Sequence, residues 1–458
     1  MNKETRIQKI EEILRQEPYA QKEIMWQDSL QVMGVYKIPL KYLIYNKYNG
    51  RILSRTKSLE SQGGDLNPEN EHDKKIVEKL LWDSKPDRNK KTKADIEQHG
   101  QKEIGIITKD GIIIDGNRRA MLLNQIDRFD YFKAVILPVT LEDDPIGIEK
   151  LETSYQMGED EKLGYNPIEK YLKAKTLKQK GVSKKQISDW MGESESTVEE
   201  YLNVMETMDD YLDYIGYNGI YTQLDSREDQ FINLTKWLKT FYGGGSVKVF
   251  DGYTDADVDD LKIISFDYIR VKFEGKKFRY IGYGQKQNHF FGNKKIWESF
   301  RNKHFTQIGP IQDKEENPKL DTDNIQATLN DRDEKFRNAT IKLLSDNLDE
   351  HYTQLRYKQA QDEPVKLVTS AKRAIAAINT RSKNFKQEDV LSNLDELRNE
   401  ITEMIHDESL ERTLQHILNL LSIIDVKKSP DNKDDLLDYI KQIEKEAYQL
   451  EKRLKKEL

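Results

Sequence analysis

The stretch ADIEQHGQKEIGIITKDGIIIDGNRRAMLLNQI, residues 94–126, restricts the fold open to this chain more than any other. It alternates helix, strand, hairpin turn, strand and helix, with Lys109-Asp110-Gly111 at the turn between two short apolar runs. FKAVILPVTL supplies another strand before the acidic loop Glu142–Pro145. This order asks for a mixed sheet with helices beside it, an α+β class. The second strand ends in Gly116-Asn117-Arg118-Arg119. A helix N-terminus already carries about half a positive charge, and two arginines add to it. Two readings stay open: a solvated or salt-bridged surface, or a junction that holds an anion such as a phosphate.

Composition removes several classes of function. Cysteine is absent, which excludes disulfides, thiolate metal sites and thiol chemistry for this polypeptide. No apolar run approaches the roughly 20 residues that span a bilayer. The start, MNKETRIQKIEEILRQEP, reads as a charged helix without an apolar signal core, so a soluble, cytoplasmic protein is expected. Charged residues are 34% of the chain but the net charge is only −7, so nucleic-acid binding would need a local basic patch. Lysine and arginine cluster at Lys85–Lys93, read as a solvated loop, and at Lys427–Lys428.

The length of 458 residues suggests roughly two to four domains. Residues 5–30 read as helix, with Ile7, Ile10, Ile13 and Leu14 at helical spacing. A strand, YKIPLKYLIYN, a long loop over Asn46–Pro68 and a helix at HDKKIVEKLLWD follow. From Asn166 three short helices are joined by Gly181 and Gly192, with Ser183 and Ser194 as N-caps and Ile187, Trp190, Met191, Val198 and Leu202 as the core. That is a helix-turn-helix pattern. Residues 227–242 are helical, GGGS at 243–246 is a hinge, and DLKIISFDYIRVKFEGKKFRYIGYG reads as strands around a glycine turn, closed by the helix NKKIWESFRNKHF. From Pro318 the chain is helical. Three 4-3 seams run through Val390, Leu394, Leu397 and Ile401, through Leu410, Leu414, Ile417, Leu421 and Ile424, and through Leu436, Ile440, Ile443, Ala447, Leu450 and Leu454. They fit packing within the chain or a homodimer. The expected regions are an N-terminal helix (1–30), a mixed-sheet domain (31–150), a helix-turn-helix domain (151–225), a small α/β domain (226–316) and a helical, coiled-coil-like end (317–458).

From about Lys37 to Leu212 this order of elements resembles the ParB N-terminal domain, which shares its fold with sulfiredoxin. The residues that carry the resemblance are IEQHGQKEIGIITKDGIIIDGNRRAMLL, then LETSYQ, then Asn166-Pro167-Ile168-Glu169 entering the helix-turn-helix. The resemblance implies that Asp115, Gly116, Asn117, Arg118 and Arg119 cradle the phosphates of a nucleoside triphosphate, CTP or ATP. Gly100, Gln101 and Ile104 would line the same pocket. It also implies that Glu152, with Thr153, holds Mg2+, and that Glu152 and Arg118 are the catalytic residues of any turnover. Thr153 stands where the family has an asparagine, Met121 where a further arginine follows, and Gln156 matches with a one-residue shift. Sulfiredoxin chemistry needs a cysteine that this chain lacks. The family's helix-turn-helix reads DNA, but here the third helix begins ESESTVEE, and its acids repel a phosphate backbone unless Lys184 and Lys185 compensate.

The expected function is therefore a ParB-like, DNA-associated nucleotide switch. The alternatives are a Mg-dependent nuclease or nucleoside triphosphatase of a defence or mobile-element system, and a non-catalytic adaptor. Asp267 with Glu274-Gly275-Lys276 has the spacing of a metal-dependent nuclease, although a hairpin turn favours the same residues. The histidines 72, 99, 289, 304, 351, 406 and 416 show no metal-ligand spacing, although His99 stands beside the glycine entering the ParB-like pocket.

Overall fold

One mixed sheet organises the N-terminal part of the chain. Strands β1 (Ala20–Trp26), β2 (Ser29–Pro39), β3 (Gly105–Ile107), β4 (Ile113–Asp115) and β5 (Tyr131–Ile136) lie in the order β1-β2-β5-β3-β4. β3 runs parallel to β5, and the other neighbours are antiparallel. The computed structural model describes the chain apart from residues 164–165, 274–275, 316–324, 362–363, 383–384, 406–409, 423, 425–432 and 458. Two compact units emerge, Met1–Pro364 and Val365–Leu458.

Alternation along the strands feeds two cores. Ile38, Ile107, Ile113, Phe132, Ala134 and Ile136 pack with residues of helices α1 (Lys3–Leu14), α3 (Glu71–Ser84), α4 (Pro86–His99) and α5 (Asn117–Leu123). Val35, Ile106, Ile114, Val135 and Leu137 meet Ile148 and Leu151 of helix α6 (Pro145–Leu163) on the opposite face. A one-residue slip would swap these sets, so the register is strongly fixed.

The structure corrects four expectations here. The helix expected over 5–30 stops at Leu14, and a β1-β2 hairpin follows. Its two-residue turn, Gln27 and Asp28, holds φ at 48° and 62°, the left-handed pair of a tight hairpin. The expected loop Asn46–Pro68 contains helix α2 (Leu53–Gly63). The Lys85–Lys93 cluster is the start of α4, with Pro86 in its first turn where a missing N–H costs nothing. The fourth correction concerns the strands expected from Asp260 onward, which are helix α11 (Asp255–Arg270) followed by 3-10 turns.

The helix-turn-helix pattern is present as α7 (Pro167–Gln179), α8 (Lys184–Met191) and α9 (Glu195–Tyr214). Ser183 and Ser194 cap α8 and α9, and Gly192 ends α8 at φ 68°. Ile187, Trp190, Met191 and Val198 are buried together, with Leu202 packed against them. Beyond it lie α10 (Glu228–Phe241), α11, α12 (Lys294–Gln312) and α13 (Ile325–Gln361) around one aromatic-rich core that includes Phe231, Tyr268, Trp297, Phe300, Phe336 and Leu348. The region expected as small α/β is therefore helical, and α13 belongs to its core. The second unit holds α14 (Pro364–Ala376, its first residue excepted), α15 (Gln387–Ile405), α16 (Leu410–Ser422) and α17 (Lys433–Glu457). No helix among the described residues is long and apolar enough to cross a membrane.

Candidate functional site

β4 passes into α5 through Gly116, whose φ is 102°. A Cβ there would come within 2.6 Å of the Phe132 ring and 3.2 Å of Arg119 Nη2, so both the conformation and the packing require glycine. Buried Asn117 ties the turn down: its Nδ2 donates to the Ile113 carbonyl at 3.0 Å, and its Oδ1 accepts the Asn46 N–H at 2.9 Å. Arg118 donates from Nε and Nη2 to Asn89 Oδ1, at 2.8 and 2.6 Å. Asn89 is buried and spends its own amide hydrogens on the Leu81 and Trp82 carbonyls, which fixes the plane of the guanidinium. Arg119 turns back to Asp115, with Nη2 and Oδ2 2.7 Å apart. The two adjacent arginines thus diverge, one toward α4 and one toward β4.

Gly100 and Gln101 do not join them. They line a separate cleft of about 330 Å³ with His99, Arg128, Phe129 and Lys133, and none of residues 115–119 takes part in it. Gln101 hydrogen-bonds the backbone of β5, with its amide donating to the Lys133 carbonyl and accepting the Lys133 N–H. His99 pairs with Asp95 at 3.0 Å.

Glu152 is buried on α6. Its Oε1 accepts hydrogen bonds from Gln156 at 2.8 Å and from Asn46 at 3.1 Å, and its Oε2 lies 3.5 Å from the Lys173 ammonium. Lys173, also buried, bonds Glu149, and Lys180 bonds the other oxygen of Glu149. Burial pushes Glu152 above the usual carboxylate range against the pull of Lys173. Burial works the same way on Glu149, but Lys173 and Lys180 outweigh it and hold that carboxyl low. A continuous path of bonds therefore runs from Asn117 through Asn46 and Glu152 to Lys173 of α7.

The expected metal pair does not fit Mg2+. Oxygen ligands for this ion must face one open position. The oxygens of Glu152 are taken by amides and an ammonium, and Thr153 donates its hydroxyl to the Glu149 carbonyl of its own helix at 2.7 Å. Among the described residues no group of three or more His, Asp or Glu could hold a metal ion.

The two lysines expected to face DNA differ in their surroundings. Lys184 pairs with Glu199 at 2.9 Å, so this lysine compensates an acid of α9 within the protein, while Lys185 stays exposed. Lys236 and Lys239 likewise meet Glu200 and Glu199. In the rival site, Asp267 is buried against His304 at 2.9 Å, Gln312 at 2.7 Å and the Tyr214 hydroxyl at 3.1 Å, so its carboxylate oxygens are taken by side chains of the core. Its companions Glu274 and Gly275 lie outside the described residues, as do His406 and Lys427–Lys428.

Sequence reasoning missed Asn46, Asn49, Glu149 and Lys173. The one local sign was NKYN at 46–49, where Asn46 and Asn49 each accept backbone N–H groups two residues on, as loop-forming asparagines do. No protein-family model matches the sequence, and no curated protein is significantly similar to it.

Proposed function

We propose that this chain is a nucleotide-responsive switch, with the phosphates of a nucleoside triphosphate received at the Gly116–Arg119 turn and occupancy passed to the helix-turn-helix. The observation that carries this reading is the placement of Glu152, whose carboxylate holds Asn46, bonded to the Asn117 of the turn, and Lys173 of α7. A ligand that moves the turn moves Asn46, and Asn46 shares its carboxylate with the second module. The Arg118 guanidinium, held in plane by Asn89, places a fixed positive charge beside the turn. The acids near the start of α9 are met by Lys184, Lys236 and Lys239 within the protein, which spends basic charge that a phosphate backbone would need. The seams of the second unit are proposed to pair with a second copy of the chain.

Fluorescent CTP and ATP titrated into the full chain and into Arg118→Ala/Arg119→Ala test the reading. Each charge-assisted hydrogen bond contributes about 1.5–3 kcal/mol, so the double variant should bind more than about a hundredfold more weakly. Equal, negligible binding by both proteins would sink the proposal. Glu152→Gln should keep binding but lose the ligand-induced protection of α7 against amide exchange.

A further inference from the structure

A cleft of about 290 Å³ opens where α2 packs beside α6 and α7, and it contains none of residues 115–119. Lys57 of α2, Glu149 of α6, Lys173 and Thr176 of α7, and Lys180 just past the end of α7 line it, with Tyr48 at one side. Three ammonium groups face one carboxylate. Lys173 and Lys180 already share Glu149, whereas Lys57 makes no hydrogen bond or ion pair with the described residues. Its charge is uncomfortable: burial, together with Lys175 and Lys180, pulls it below the usual lysine range even with Glu60 and Glu149 nearby.

Thr176 makes the second, independent observation. A helical threonine ordinarily donates its hydroxyl to the carbonyl four residues back. Thr153, Thr207, Thr340 and Thr353 all do so here. Thr176 and Thr56 do not, and the buried Oγ1 of each has no hydrogen-bond partner; of the two, Thr176 lines the cleft. A buried hydroxyl without a partner costs about 1–3 kcal/mol, so the Thr176 hydroxyl is a donor available to a group that enters the cleft.

We infer that this cleft binds a small phosphate-type oxyanion, with the Lys57 and Lys180 ammoniums and the Thr176 hydroxyl as its donors. The size limits the ligand to one or two phosphoryl groups, because pockets for larger organic ligands run to about 300–1,000 Å³. The charge asks for an anion: Lys173 and Lys180 are paired with Glu149, and Lys173 also with Glu152, which leaves the Lys57 ammonium at the cleft without an ion pair among the described residues. The inference goes beyond the nucleotide reading and does not depend on it. The two sites communicate through Lys173, which touches both Glu149 at the cleft and Glu152 on the path to Asn117.

Calorimetric titration of inorganic pyrophosphate into the full chain, at matched ionic strength and with chloride as the only other anion, tests the cleft. Lys57→Ala should weaken binding about tenfold or more, Thr176→Val several-fold, and Lys178→Ala, an exposed lysine on the same helix outside the cleft, not at all. Lys57→Gln, which keeps the length of the side chain, should weaken it as Lys57→Ala does, and unchanged melting of both variants separates lost binding from lost fold. Absence of pyrophosphate binding in the wild type, or equal binding by wild type and Lys57→Ala, overturns the inference. Loss on Arg118→Ala with Lys57→Ala unaffected also overturns it, because the anion then sits at the Gly116 turn. Nucleotide binding that persists in Lys57→Ala leaves the switch reading standing whichever way the pyrophosphate result falls.

Discussion

Glu169 and His289 are two buried titratable groups whose effects on stability oppose one another. Glu169 accepts the Ser54 N–H at 2.9 Å and the Ser54 hydroxyl, capping α2 from α7. Burial nevertheless pushes its carboxyl up to about 7, against those hydrogen bonds and Arg55. The folded state therefore binds a proton that the unfolded chain has released between about pH 4.5 and 7, and this contribution to stability is lost as pH rises through that window. His289 behaves in the opposite sense. Burial brings its ring down to about 4, so its contribution is full above about pH 6.5 and is lost as pH falls toward 4. Each window is worth on the order of 3 kcal/mol, so over pH 4.5–6.5 the two nearly cancel. Glu169→Gln keeps an acceptor for Ser54 and should unmask a stability that rises with pH. His289→Phe, which keeps the stacking on Phe241, should unmask a fall. Denaturant titrations at half-unit pH steps read both slopes, and variants with the wild-type profile would refute the assignment.

Among the elements, those that carry their own punctuation are legible in the sequence. Ser183 and Gln186 exchange side-chain and backbone hydrogen bonds at the start of α8, Ser194 caps α9, and Gly192 ends α8, so three short helices could be read directly. Where the stop or start signal comes from elsewhere in the chain, reading fails. α2 is capped by Glu169, 115 residues away, and so looks like loop. α11 is buried nearly all round after Leu261, which erases the helical period. Its local signal was Thr254-x-x-Asp257, where the aspartate accepts the Thr254 N–H at 2.9 Å. The same divide runs through the candidate site. Gly116 and the arginines could be found from the order of strand, turn and helix, whereas Asn46 and Glu152 meet across 106 residues and only the fold brings them together. Two glycines provide the test at this scale. Gly192→Ala meets nothing within 4 Å and should cost only the left-handed strain, about 1 kcal/mol. Gly116→Ala adds a collision with Phe132 and Arg119, so it should cost clearly more, about 2–4 kcal/mol, and weaken nucleotide binding as well. Equal costs for the two would show that the turn relaxes and that the packing around Phe132 is not what demands glycine.

At the scale of the whole molecule, the question is what covers the second unit. Within Met1–Pro364 the large apolar side chains are mostly sequestered in four clusters, whereas the seam of α17 leaves Leu436, Ile440 and Ile443 at 38%, 54% and 43% exposure. Leu410, Ile417 and Leu421 of α16 are similarly open. Scattered exposed leucines need no explanation, but rows at 4-3 spacing along α16 and along α17 each leave an apolar seam that water solvates poorly. Burying such side chains gains roughly 1.5–3 kcal/mol each, enough in sum to offset the entropy of association, and a second copy brings an identical stripe at equal concentration. The full chain should therefore scatter light as a dimer at micromolar concentration. Ile440→Asp with Ile443→Asp places two charges on the seam and should return it to the monomer, because a carboxylate in an apolar helix pair has to be desolvated without a partner. The nucleotide affinity of that variant should stay within about twofold of wild type if the Gly116 turn works inside one chain. A wild-type monomer, or a dimer that survives both charges, would place the stabilising contacts of the second unit within its own chain and leave the switch to act without self-association.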